Sequence, residues 1–437
     1  DLFIDIVFCG RWLWRRLVVY SRYPPMRAED LRRSGPAGRF AVFVPAWREA
    51  GVIGDMLRHF VRRTVHDNYR VFVGVYPNDP DTASVVAGIA DPRVEMVVTP
   101  RPGSTTKADC LNALWHAMLR HEIAFGGRFK AIVLHDAEDV AHSLELRIFD
   151  HLIPAKAMVQ LPVAPIRDPD SHWIAGHYLD EFAENHGKDI VVREALGAAV
   201  PSAGVACAFE RGVMGWIADD LGGAPFDPVS LTEDYELGLR IAARGGSAAM
   251  VRIPGHARGR LVATREHFPA TLDAALQQKT RWLLGIALQG WDRIRWQGGV
   301  ADRYMLLRDR KALLNAFIVI LAYLGGSAFA GSLLLGWLLP AATALPAVVE
   351  PGDRLGRLLA FTTLLLVWRL FVRAAFTARM HGPVEALRSV PRAAVANLIN
   401  CLAAIRAIAW YCRIAARRDH ARWDKTAHRV PVSAPAE

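Results

Sequence analysis

Residues 312 to 349 contain no Asp, Glu, Lys or Arg. Within that run Leu313 to Leu339, rising ~1.5 Å per residue as a helix, is ample to cross about 30 Å of hydrocarbon. A chain with such a stretch is divided: its N-terminal side folds in water, and its C-terminal side settles in or on a bilayer. A second apolar stretch, Leu358 to Phe376, is interrupted near its end by Arg369 and Arg373. Basic residues precede the first stretch (Arg303, Arg308, Arg310, Lys311) and flank the end of the second, while the hairpin Pro340 to Arg357 has balanced charge. The positive-inside rule then predicts transmembrane helices over about 313–339 and 358–378, with the large N-terminal part in the cytoplasm. Ala393 to Tyr411 is apolar as well, but it holds Asn397, Asn400 and Arg406 between flanking arginines. An interfacial helix over about 393–412 is expected there. Residues 413–437 read as a basic tail, disordered from Pro431.

The net charge of +10 reflects those flanking arginines. No basic stripe interleaved with aromatics occurs elsewhere, so membrane lipid is the expected partner and nucleic acid is not. The five cysteines show no C-x-x-C spacing and read as free thiols in a reducing compartment. The chain opens mid-pattern at Asp1, so a preceding segment is expected. In residues 1–36, Leu2, Phe3, Ile6, Val7, Leu13, Trp14, Leu17 and Val18 share one helical face, with Arg11, Arg15, Arg16 and Arg22 on the rest. This amphipathic helix suits a membrane interface or packing on the soluble domain.

Residues 37–300 alternate strand and helix patterns. Strands are expected at Phe40–Pro45, Arg70–Tyr76, Val94–Thr99 and Lys130–Leu134, with helices at Val52–Arg63 and Lys107–Glu122. Later strands are expected at Ala157–Leu161 and Val205–Phe209, and helices near 172–186, 212–221, 232–243 and 268–295. This predicts an α/β domain with a mostly parallel sheet and ligands at the strand C-termini. Neither Gly-x-Gly-x-x-Gly nor a P-loop is present, which argues against a dinucleotide or P-loop nucleotide site.

The chemistry concentrates where the fourth strand ends, in His135-Asp136-Ala137-Glu138-Asp139. Acidic oxygens delivered by a buried strand suit a divalent cation set against a phosphorylated substrate. A solvated turn is the plain alternative. Thr232-Glu233-Asp234 opens a later helix, with Thr232 as its natural N-cap. Gln278, Arg281 and Trp282 share one helical face farther on.

These signals, in this order and trailed by membrane helices, resemble the membrane-bound family 2 glycosyltransferases of the cellulose- and hyaluronan-synthase-like group. Val44-Pro45-Ala46-Trp47-Arg48-Glu49 and Lys107-Ala108-Asp109-Cys110-Leu111-Asn112 resemble two further family elements. The strings 135–139, 278–291 and Trp423-Asp424-Lys425-Thr426-Ala427-His428 resemble the bacterial inner-membrane phage-adsorption protein B group, which serves exopolysaccharide systems. Longer members of that group carry a C-terminal cyclic-dinucleotide-sensing domain, and this chain stops soon after His428.

The resemblance implies a GT-A-like domain and inverting, metal-dependent transfer from a nucleotide-sugar donor, expected to be a UDP-sugar, to a growing glycan acceptor. It assigns Asp136 and Glu138 to Mg²⁺ or Mn²⁺. The family motif is D-x-D, so Glu138 lengthens one arm and leaves open how it shares the work with Asp139. Glu49, Asp79, Lys107 and Arg281 are the expected nucleotide-side residues, and Gln278 and Trp282 the acceptor or sugar residues. Asp234, with Glu233 beside it, is the expected base, its first-turn position favouring the ionised form. Two spans are fewer than a polymer channel needs, so an export or outer-membrane partner is expected. A membrane scaffold without catalysis, and a nucleotidyltransferase or phosphodiesterase, are the alternatives.

Overall fold

The apolar run at residues 40–45 becomes strand β1 (Phe40–Pro45), in which every residue is buried. That pattern belongs to a central strand covered on both faces. The computed structural model describes residues 1–32, 35–257, 259–339 and 353–417. Residues 340–352 of the expected hairpin, and the tail beyond Arg417 with its Trp423–His428 string, lie outside them.

An N-terminal helix α1 (Leu2–Trp14) precedes β1. After it come α2 (Ile53–Arg63), β2 (Tyr69–Val75), α3 (Pro80–Ala87), β3 (Val94–Val98), α4 (Lys107–Phe125) and β4 (Ala131–Leu134). Helix α4 starts cleanly because Thr106 and Asp109 form a reciprocal capping box. Next are α5 (Glu145–Leu152), β5 (Met158–Gln160), β6 (Val163–Pro165), α6 (Ile174–Glu184) and α7 (Ile190–Ala195). The soluble domain closes with β7 (Cys207–Glu210), α8 (Arg211–Asp220), α9 (Glu233–Ala243), β8 (Ala248–Met250), β9 (Thr264–Glu266), α10 (Leu272–Leu283) and α11 (Gly290–Ile294).

Seven strands form one sheet in the order β3-β2-β1-β4-β7-β5-β8, and β6 pairs with β9 in a second, two-stranded sheet. Only β7 runs antiparallel to its neighbours in the large sheet, so it is mostly parallel as expected. The helix expected over 268–295 runs without interruption from Leu272 to Ile294, with a π-helical segment at Leu284–Gln289 between α10 and α11. Gly285 sits there against Thr232, where an added Cβ would lie 2.6 Å from the threonine side chain. A second π-helical segment, Asn185–Asp189, likewise lies between α6 and α7.

Helix α12 (Val300–Arg310) leads into three long helices: α13 (Ala312–Leu338), α14 (Arg354–His381) and α15 (Pro383–Arg417). All three are long and apolar enough to cross a membrane. The end of α14 turns back to the soluble domain, where Val372 and Phe376 pack on Ala183 and Thr377 bonds Asp180.

Helix α15 begins well before residue 393 and has 35 residues. Near its start, Arg392 is fully buried between Asp180 of α6 (2.8 Å) and Glu385 (2.6 Å). Toward its end, the Tyr411 hydroxyl donates to Asp292 of α11 at 2.6 Å. Helix α1 packs on the soluble domain, one of the two roles its sequence allowed. Ile4 and Asp5 are buried, Asp5 meeting Lys188 at 2.5 Å and the indole of Trp368 at 2.9 Å. Its opposite face leaves Leu2, Phe3, Ile6, Leu13, Trp14 and Leu17 exposed.

Candidate active site

Strand β4 ends beneath the site, and the turn after it divides its three acids. Asp136 and Glu138 point toward Glu266, and one carboxylate oxygen from each lies within 4.8 Å of the others. Glu266 arrives from β9, which the backbone ties to the acidic turn: Val140 N–H donates to Arg265 O at 2.8 Å, and Arg265 N–H returns the bond at 3.1 Å. Burial, then the charges of Asp139, Glu138 and Asp136, hold the Glu266 pKa well above the usual carboxylate range. Three carboxylates crowded together match the hard-oxygen preference of Mg²⁺ or Mn²⁺.

Asp139 faces the other way. Its Oδ2 accepts from His135 Nδ1 at 2.7 Å and from the Asp136 backbone N–H at 3.1 Å, and the residue is buried. Glu138 thus joins the open cluster, and Asp139 braces the turn from behind. His135 completes the brace through Glu145 at 2.8 Å.

Lys107, at the start of α4, places its ammonium 2.5 Å from Asp136 Oδ1. Burial would lower its pKa, yet the charges of Asp136, Glu233 and Asp234 hold it above the ordinary lysine value. Thr232 occupies the N-cap position of α9, but its hydroxyl makes no capping bond. Burial and the adjacent Asp234 push Glu233 up to about 7, and burial raises Asp234 as well. Desolvation therefore opposes the helix-end preference for the ionised form, and Lys107 and Arg281 are the charges that pull back toward it. Asp234 lies against Gly204, whose φ is +77° and where a Cβ would come 2.5 Å from Asp234 Oδ2. Only glycine gives both the backbone conformation and the space.

A cavity of about 840 Å³ joins these groups. It is lined by Glu49, Asp136, Glu138, Asp234 and Glu266, and by Gln278, Arg281 and Trp282 from the expected helical face. Gln278 Oε1 has no hydrogen-bond partner among the described residues. Trp282 stands edge-on to Tyr178, with the Lys279 ammonium 5.2 Å from its ring centre. Lys107 and Glu233 line a smaller adjoining pocket with Asp234 and Arg281. Asp79 lines neither. Its carboxylate accepts from Arg48 N–H at 2.5 Å and Thr82 N–H at 3.4 Å, so it holds the loop that presents Glu49. The large cavity continues past Asp309 and Lys311 to Asn315, Asn397 and Asn400 on the long helices.

Residues 36–285 match the profile described as glycosyltransferase-like family 2. The chain belongs to that family. It is 38% identical over 448 aligned residues to bacteriophage adsorption protein B of Escherichia coli K12. The same figures hold for bacteriophage N4 adsorption protein B of E. coli O157:H7. Each alignment takes in 99% of this chain and 60% of the relative, so the chain spans about 60% of the length of these curated relatives. Among solved structures, mannosyltransferase PcManGT of Pyrobaculum calidifontis, in complex with GDP-Man and Mn2+, is similar with a TM-score of 0.48. Its identity is 17%, over 91% of this chain and 97% of that one. S. aureus TarS 1–349, in complex with UDP-GlcNAc, is similar with a TM-score of 0.40 and 10% identity, over 86% and 92%.

Two parts of this candidate site carry no signal in the sequence. Glu266 carries no periodic or spacing signal; only the pairing of β9 with β6 and Val140 brings it to Glu138. The His135–Asp139–Glu145 brace was visible only as an acidic string, because orientation within a turn is a tertiary property.

Proposed function

We propose that this family 2 glycosyltransferase is an inverting, metal-dependent enzyme. It moves a sugar from a nucleoside-diphosphate donor to a glycan acceptor at the cytoplasmic face of a bacterial inner membrane. A UDP-sugar is the first donor to test. The observation that carries the reading is the convergence of Asp136, Glu138 and Glu266 in one cavity with Asp234 and the Gln278–Arg281–Trp282 face. Asp136, Glu138 and Glu266 would hold Mg²⁺ or Mn²⁺, which supplies positive charge to a diphosphate leaving group without proton transfer.

The chain's own residues do the rest. Asp234 accepts the proton of the attacking acceptor hydroxyl, a contribution of roughly 10²–10⁴-fold for a positioned base. Glu233, Lys107 and Arg281 set the charge around it, and Arg281 offers a planar fork to the departing diphosphate. Gln278 Oε1 accepts from a sugar hydroxyl, and Trp282 supplies an apolar edge for the ring. Glu49, presented by the loop that Asp79 secures, faces the nucleoside.

The cytoplasmic assignment rests on the cations at the roots of the spans, Arg308, Lys311, Arg369 and Arg373. Helices α13 and α14 cross as a pair. Helix α15 lies along the interface, since it bonds the same soluble domain near both ends, at Arg392 and at Tyr411. We infer, from the name of the curated relatives and the family resemblance, that the product is an exopolysaccharide exported with a partner protein.

The test is a screen of nucleotide sugars with the protein in nanodiscs, with and without divalent metal, reading released nucleotide. Metal-dependent release of nucleoside diphosphate is expected. Asp234→Asn should abolish transfer while donor binding persists. Full transfer by that variant, or release of nucleoside monophosphate, overturns the proposal.

A further inference from the structure

Helix α12 runs into the first long apolar helix, α13, with only Lys311 between them. In the last turn of α12, Asp309 faces the soluble domain and meets α9. The Tyr235 hydroxyl donates to Asp309 Oδ2 at 2.6 Å, and Arg193 Nη1 donates to the same oxygen at 2.8 Å. Arg193 is itself held, its Nε donating to Ala199 O at 2.5 Å. Tyr235 also reaches the other way: its backbone N–H donates to Asp234 Oδ1 at 2.8 Å. One residue therefore holds the root of the membrane helix with its hydroxyl and the carboxylate beside it with its N–H. The Tyr235 ring is buried with Leu239, Ile294 and Leu306, the last from α12, so the contact is packed as well as hydrogen-bonded.

We propose that Asp309 is a positioning residue that couples the root of the first membrane helix to the Asp234 carboxylate through Tyr235. This rests on Asp234 being the base. A charge-assisted bond to a carboxylate is short and directional, so it sets where Tyr235, and with it the start of α9, lies. A movement of α13 at its cytoplasmic end reaches Asp309 within about one turn of helix, and passes through Tyr235 to the base beside it. A polymer or lipid bearing on α13 thereby changes how Asp234 meets its hydroxyl, without touching either.

The test uses the full chain in nanodiscs and three variants: Asp309→Ala, Tyr235→Phe and the double. Misplacing a base by about an ångström costs on the order of 10²-fold, so kcat should fall roughly 10- to 100-fold in each single variant. The donor KM should stay within about twofold, because donor binding is not what the bond supports. The double variant should be no worse than the poorer single, as expected for residues acting in series. Asp55→Ala removes an exposed contact with Arg58 on α2, at 2.7 Å and outside this network, and should leave kcat unchanged. Hydrogen exchange should show residues 233–237 losing protection in Asp309→Ala while α12 keeps its own.

Unchanged kcat, losses that multiply in the double variant, or a raised KM from direct substrate contact by Asp309 would each overturn the coupling. So would unchanged exchange at the start of α9. The exchange measurement needs no turnover. A wild-type protein that transfers no sugar counts against the transferase reading, while the exchange result still decides the coupling.

Discussion

His135 is the group whose removal the structure penalises most legibly. It has no exposed side-chain surface, and its two ring nitrogens lie 2.7 Å from Asp139 and 2.8 Å from Glu145. Burial alone would lower its pKa. The charges and hydrogen bonds of Glu145 and Asp139 outweigh burial and raise it from 6.5 to about 10. A pKa raised on folding means that the imidazolium stabilises the fold fully below pH 6.5. That stabilisation is lost as pH climbs through the folded value, so the window runs from 6.5 to about 10.

At ~1.36 kcal/mol per pKa unit, the shift is worth about 4–5 kcal/mol. Breaking a buried ion pair by deleting one partner costs a similar ~3–5 kcal/mol. Against a domain stability of ~5–15 kcal/mol, either figure is a large share. The assay is thermal unfolding of the solubilised protein, monitored by tryptophan fluorescence across that pH window. His135→Leu should melt about 8–20 °C below wild type at the acidic end, taking ~2–4 °C per kcal/mol for a domain of this size. The gap should close toward the alkaline end as the wild type loses its proton. A gap that is absent, or constant across the window, refutes the reasoning.

Gly204→Ala places a methyl 2.5 Å from Asp234 Oδ2 at a backbone φ of +77°. Transfer should fall roughly 10²-fold with donor binding retained, as a displaced base predicts, checked by initial rates beside donor titration. Arg392→Met leaves Asp180 and Glu385 buried without their shared partner. It should cost ~3–5 kcal/mol, seen as a lower midpoint in chemical unfolding. The loss should shrink below about pH 6, because burial already lifts Asp180 to about 6 and protonation relieves the stranded charge. A reporter fused after residue 417 should read the same membrane side as the catalytic domain; a reading from the opposite side would make α15 a span.

The local signals in the chain carried far. The continuous apolar runs at 40–45 and 131–134 could only be central strands, since a parallel sheet buries both faces of such a strand. The uncharged run from 312 marked a helix long and apolar enough to cross a membrane, because charge in hydrocarbon is too costly to be placed there without purpose. The helical spacing of Gln278, Arg281 and Trp282 put all three on one face, and that face lines the cavity. Each of these depends on neighbours in sequence, which periodicity reports.

Contacts across distant segments were decided elsewhere. The acidic string at 136–139 left open how Glu138 and Asp139 share the work, and only the packed position of His135 and Glu145 turned Asp139 inward. Glu266 became a member of the cluster through strand pairing. Thr232, a natural cap by sequence, spends its position against Gly285 instead. Asp79 became a support for the loop bearing Glu49, and α15 bonds the soluble domain through Arg392 and Tyr411. The physical reason is common to all of them. A side chain's residue type sets what bonds it can make, but burial and the direction of its Cα–Cβ bond choose which, and both come from the fold.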